Sequence, residues 1–125
     1  MKKVFLMLTI VAFSSVVVNA QSHVGHHATT TQKAKTSSTH AMLGVQGNCD
    51  MCKARIEKAA LGVKGVSSAM WEAKDQKLHV NYNASVTNLS AISKAIAKVG
   101  HDTEKDKASQ KVYDALPECC NYRTK

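Results

Sequence analysis

Aromatic side chains make up only 5% of the 125 residues, and the chain has a single proline, Pro117. Any core must therefore rest mainly on aliphatic side chains and is expected to be thin. The formal net charge is +8, two units of which come from Lys2 and Lys3 at the extreme N-terminus. The remaining basic residues are scattered, with no dense stripe of the kind that grips nucleic acid. No Ser/His/Asp arrangement and no pair of carboxylates suited to acid–base work stands out, so the pattern points to a binding protein and not to an enzyme. The length allows one small domain and argues against a large multi-substrate enzyme. What the chain does have is four cysteines, in two close pairs: Cys49 with Cys52, and Cys119 with Cys120.

The N-terminus reads as an export signal. Met1-Lys2-Lys3 is a short basic region, Val4 to Phe13 is an uncharged apolar run, and Val18-Asn19-Ala20 suits a signal peptidase. A spanning helix needs about 20 apolar residues, and Ser14, Ser15 and Asn19 interrupt this run. Cleavage after Ala20 is expected, with no membrane span left and no cysteine for a lipid anchor, which places the protein in a periplasm or outside the cell. Residues 21–40 are Ser, Thr, Lys and His with little apolar content, and read as a disordered linker. Its His23, His26, His27 and His40 are either weak ligands for borderline metals or simply part of a polar tether.

From residue 41 the pattern becomes periodic. Met42 to Gly47 alternates as a strand, with Leu43 and Val45 on one face. Asn48 or Asp50 can cap a helix from Met51 to Leu61, which Gly62 and Gly65 terminate. Val66 to Ala73 leans to strand, Lys74-Asp75-Gln76 reads as a turn, and Leu78, Val80 and Tyr82 alternate with His79 and Asn81. Leu89, Ile92, Ile96 and Val99 fit a second helix over Thr87 to Lys98. His101 to Asp106 reads as a polar edge strand, and Ala108 to Leu116 as a short helix. The order β-α-β-β-α-β is the ferredoxin-like split motif: an α+β domain over residues 41–106, with a four-stranded antiparallel sheet and two helices on one face. Residues 107–125 then form a C-terminal extension carrying Cys119-Cys120.

Cys49-Asp50-Met51-Cys52 is a Cys-x-x-Cys at the junction of the first strand and first helix. This spacing lets two sulfurs face a common centre while the backbone turns into the helix. The helix N-terminus carries partial positive charge, and Lys53 and Arg55 add to it, favouring thiolate, the form that binds metal. Two soft sulfurs suit Cu(I) or Hg(II), which accept few ligands, whereas Zn(II) prefers four.

With Gly47-Asn48-Cys49-Asp50-Met51-Cys52 following a strand in this element order, the chain resembles the heavy-metal-associated domain family, which includes copper chaperones and the periplasmic mercury-binding protein. The resemblance covers roughly half the chain. It implies that Cys49 and Cys52 are metal ligands for a soft ion, Cu(I) first, then Hg(II) or Zn(II). It further implies a carrier or scavenger that passes metal by thiolate exchange to a metal-transporting membrane ATPase or another thiol-bearing acceptor. The family usually places a methionine two residues before the first cysteine, packed under the loop. That methionine is missing here, and Met51 is the nearest substitute. Similar chaperones sometimes carry a histidine where His101 stands, so His101 is either an auxiliary ligand or a solvated loop residue. His79 is expected on the outer face of its strand.

Cys119-Cys120 lies outside the usual domain. Adjacent cysteines pair with each other only under strain, which leaves three readings: a second soft-metal site, completion of a four-sulfur site with Cys49 and Cys52, or disulfides. A thiol–disulfide oxidoreductase would also use a helix-N-terminal Cys-x-x-Cys. Against it, no aromatic precedes Cys49, and Pro117 is far from the motif. Covalent haem attachment needs His directly after the second cysteine, and Lys53 stands there.

Overall fold

A computed structural model of the chain describes residues 37–123. The expected signal segment, most of the linker with His23, His26 and His27, and the last two residues lie outside the described residues. Three strands form one antiparallel sheet: β1 (Ser38–Gly44), β2 (Val66–Glu72) and β3 (Lys77–Asn83), in the order β1-β3-β2. Two main helices, α1 (Asp50–Leu61) and α2 (Leu89–Lys98), pack on one face of it. A short helix α3 (Gln110–Asp114) and a single 3-10 turn (Glu118–Cys120) follow.

The period-two pattern decides which side of the sheet is covered. Leu43 of β1, Trp71 of β2, and Leu78, Val80 and Tyr82 of β3 point towards the helices and are buried with Ile56 of α1 and Ile92 and Ile96 of α2. Trp71 is the largest side chain in this core, and its indole N–H donates to the Val45 carbonyl at 3.0 Å. The mainly aliphatic core therefore closes around the Trp71 indole, with Tyr82 as its second aromatic ring. α2 begins where Asn88 accepts a hydrogen bond from the Ala91 N–H at 2.9 Å, two residues later than the periodicity suggests.

Two expectations need correction. The first strand starts at Ser38, within the segment read as linker. His40 is thereby a strand residue, paired opposite Asn81. The four-stranded sheet is not formed either: among the described residues the sheet has three strands, and the expected fourth is reduced to one antiparallel bridge between Val45 and Thr103. Gln46 N–H donates to the Asp102 carbonyl and Glu104 N–H to the Gly44 carbonyl, so the segment does lie along the free edge of β1. It cannot continue as a strand because Thr103 and Asp106 bond to each other through backbone and side chain, folding the chain back. Both also satisfy the buried Ser93 hydroxyl of α2.

Candidate metal centre

The loop between β1 and α1 is shaped by close packing. Gly47 sits so near the core that a Cβ there would meet the Cys52 Cβ and the Trp71 ring at 3.0 Å. The indole of Trp71 thus packs directly against the loop at Gly47. Met51, the substitute suggested by the sequence, is instead half exposed. Gln76, in the left-handed region at φ 52°, braces the loop from the β2–β3 turn: its Oε1 accepts from the Gly47 N–H at 2.9 Å and its carbonyl accepts from the Val45 N–H.

Helix α1 is capped by Cys49, in extended conformation, and not by Asn48 or Asp50. Cys49 is partly exposed, while Cys52, within the first turn of the helix, is fully buried. Their sulfurs lie 3.6 Å apart, so the pair shares one centre as the spacing predicts. The C-terminal pair comes to the same place. Cys119 Sγ is 3.3 Å and Cys120 Sγ 3.7 Å from Cys49 Sγ, and the adjacent sulfurs are 3.8 Å apart. The sulfurs of Cys49, Cys119 and Cys120 all lie within 4.8 Å of one another, and Cys52 reaches this group through Cys49. All four are free thiols. A metal with sulfur bonds of about 2.3 Å holds trigonal or tetrahedral sulfurs about 4 Å apart. The observed spacings lie close to that range.

The charges around the sulfurs differ from the simple expectation. Lys53 turns away, bonding the Trp71 carbonyl and pairing with Glu57 at 2.8 Å. Arg55 does face the site, with a guanidinium nitrogen 3.5 Å from Cys120 Sγ. At Cys49 burial works against the anion. The Cys52 backbone N–H and the thiols of Cys119, Cys52 and Cys120 outweigh it and bring the pKa down to about 7, although no capping hydrogen bond of ordinary length closes. The neighbours move the other way: sharing a proton with Cys49 raises Cys119, and burial pushes Cys120 well above the ordinary thiol value. A thiolate at Cys49 beside the protonated thiols of Cys119 and Cys120 is the arrangement that electrostatics favours while no cation neutralises the cluster.

The tail is held in place by residues that no motif announced. Arg123 makes a bidentate ion pair with Asp102, Nε to Oδ2 at 2.9 Å and Nη2 to Oδ1 at 2.6 Å, and stacks on the Tyr113 ring at 4.3 Å. The Tyr122 hydroxyl donates to the Gly100 carbonyl and accepts from the Asp102 N–H, both at 2.8 Å. Burial pushes that hydroxyl up to about 12, so it remains a donor. At Asp102 burial opposes ionisation, but Arg123 and the Ala108 N–H prevail and hold its carboxyl below the usual value. Gly100, at φ 101°, admits the tail: a Cβ there would lie 2.8 Å from Leu116 Cδ2. The one clue in the sequence is that two of its three tyrosines flank the Cys119-Cys120 pair.

His101 is fully buried, stacked on Tyr122 with ring centroids 5.7 Å apart, and is not the solvated loop residue of the sequence reading. Its Nδ1 lies 2.9 Å from the Gln46 carbonyl. A carbonyl only accepts, so Nδ1 carries the proton and Nε2 keeps a lone pair, which has no hydrogen-bond partner among the described residues. Burial, with the Arg55 charge adding, lowers its pKa and keeps the ring neutral. His101 lies outside the group of mutually close sulfurs.

The description of the heavy-metal-associated domain matches residues 47–102. Among solved structures, the CopZ metallochaperone is 30% identical, with a TM-score of 0.51 over 52% of this chain and 98% of that one. The chain belongs to the heavy-metal-associated domain family. Oxidised MerP from Ralstonia metallidurans CH34 (24% identity, TM-score 0.52, 57% of this chain and 100% of that one) shares its fold. So does the N-terminal domain of a potential copper-translocating P-type ATPase from Bacillus subtilis in the Cu(I)-loaded state (24% identity, TM-score 0.51, 60% and 95%). No curated protein matches the chain. The heavy-metal-associated match ends at residue 102, so the tail that brings Cys119 and Cys120 to the cluster lies beyond it.

Two outcomes follow from this geometry. Thiolate absorbance of the reduced protein is expected to show one thiol titrating near pH 7, an event that Cys49→Ser removes; a first thiol ionising only above pH 8.5 contradicts the electrostatics described. Asp102→Ala is expected to free the tail and speed alkylation of buried Cys120 at least about tenfold in mass-spectrometric labelling, since local opening governs access to a buried group; an unchanged rate means Arg123 does not hold the tail.

Proposed function

We propose that the protein is an exported soft-metal carrier or scavenger that binds Cu(I), with Hg(II) as a second candidate, through Cys49 and Cys52, with Cys119 and Cys120 supplying further sulfurs. The observation that carries this reading is the position of Cys49, whose sulfur has three others within 3.7 Å. Thiolates of this softness select such ions. The relative CopZ is a metallochaperone by name, and a domain of a potential copper-translocating ATPase shares the fold. Export and a periplasmic or secreted location rest on the N-terminal pattern alone.

Binding begins at Cys49, the thiol whose pKa is lowered. Cys49 meets the ion first, and neighbouring thiols then bind with loss of their protons, because the cation replaces the proton in stabilising the anions. Transfer to an acceptor reverses this one sulfur at a time. The tail alters the usual balance: Cys119 and Cys120 supply from within the chain the extra thiolates that a partner would otherwise bring. With the tail in place the site favours retention, and with the tail displaced Cys49 and Cys52 remain as a two-sulfur donor. Zn(II) becomes competitive only when all four sulfurs take part. Arg55, Lys58 and Lys98 rim an apolar groove beside Met51, a basic surface that suits an acidic acceptor such as a metal-transporting ATPase domain.

A thiol–disulfide oxidoreductase remains the second reading, favoured by the lowered Cys49 thiol with Cys119 at 3.3 Å. Insulin reduction separates the two: the carrier reading expects no turnover. Directly, the reduced protein titrated with Cu(I) against a competing chelator is expected to lose at least about a hundredfold in affinity in Cys49→Ser/Cys52→Ser, and a smaller factor in Cys119→Ser/Cys120→Ser, because ligand number sets affinity. Unchanged affinity in the first variant defeats the reading.

A further inference from the structure

The face of the sheet away from the helices carries an unusual row. Residues directly opposite one another across the three strands are Met42 of β1, His79 of β3 and Met70 of β2. Strand alternation turns all three outward, since Leu43, Leu78 and Trp71 beside them are the buried ones. Met42 is 56% and Met70 58% exposed, so neither is used by the core. His40, the next outward position on β1, stacks on His79 with ring centroids 5.7 Å apart.

Side chains directly opposite in an antiparallel pair have Cβ atoms about 5 Å apart. Methionine has three rotatable bonds and a polarizable sulfur, so the thioethers on the two outer strands can both bend over the imidazole on the central one. This donor set is two thioethers and an imidazole, with a second imidazole beside it. It is soft and uncharged, and so it fits a monovalent soft cation better than Zn(II) or a hard ion. Thioethers also need no deprotonation to bind, unlike the thiols of Cys49 and its neighbours.

We propose that Met42, His79 and Met70, with His40 adjoining, form a second binding site for Cu(I) or Ag(I) on the open face of the sheet. It stands apart from the thiol cluster, which is carried by the loop, α1 and the tail. The site does not require thiols, so it can hold Cu(I) where the cysteines are oxidised to disulfides.

The test uses the full chain, reduced, with methionine methyls labelled for NMR and Ag(I) as a redox-inert probe. The ε-methyl resonances of Met42 and Met70 and the ring resonances of His79 are expected to move together as Ag(I) is added. Met42→Leu/Met70→Leu is expected to bind one equivalent fewer while Cys49 and Cys52 bind as before. His79→Gln is expected to weaken that equivalent at least about tenfold, about 1.4 kcal/mol. Identical stoichiometry in the leucine variant overturns the proposal. So do Met42 and Met70 shifts that depend on protein concentration and not on Ag(I), which would mark the row as a contact face for another protein molecule. Because neither outcome involves the cysteines, failure here leaves the thiol-site reading standing.

Discussion

The bidentate pair between Arg123 and Asp102 governs what this small domain can do. It joins the last described residue to the loop after α2, and it is backed by the Tyr113 ring and by the Tyr122 hydroxyl, which bridges Gly100 and Asp102. An exposed ion pair contributes little, but this one is largely shielded, two-pronged and part of a network, the conditions under which such pairs fix geometry. A few residues upstream of it, Cys120 is buried in the core and Cys119 lies against Cys49. A two-sulfur loop becomes a cluster of sulfurs.

Electrostatics and packing then act together at that cluster. The helix start, the N–H of Cys52 and three neighbouring thiols favour an anion at Cys49, while burial keeps Cys120 protonated. Trp71 beneath the loop and Gln76 at its side hold the backbone, so the sulfurs converge without help from a methionine under the loop. Among the described residues Arg55 is the cation bonded to a sulfur, and Lys53 serves the fold instead.

Much of this was legible in the residues, for a reason of scale. The Cys-x-x-Cys, both main helices, the β2–β3 hairpin and the inward set Leu43, Leu78 and Val80 depend on spacings of two to four residues, which a sequence displays. The start of β1 was hidden because Ser38, Thr39 and His40 are polar residues that the ladder to β3 recruits; only the partner strand makes them a strand. The fourth strand failed because Thr103 and Asp106 prefer each other to continued pairing along β1. The burial of His101 was not legible because its ring stacks on Tyr122, twenty-one residues later. The convergence of Cys119 and Cys120 on Cys49, one of three alternatives the residues allowed, depends on a clamp whose members are scattered from Asp102 to Arg123.

The central claim, that the tail enters the metal site, is tested most directly by X-ray absorption at the copper edge of the protein loaded with one equivalent of Cu(I). The account predicts three or more sulfurs around copper, falling to two in Cys119→Ser/Cys120→Ser. Two sulfurs in both proteins would contradict it.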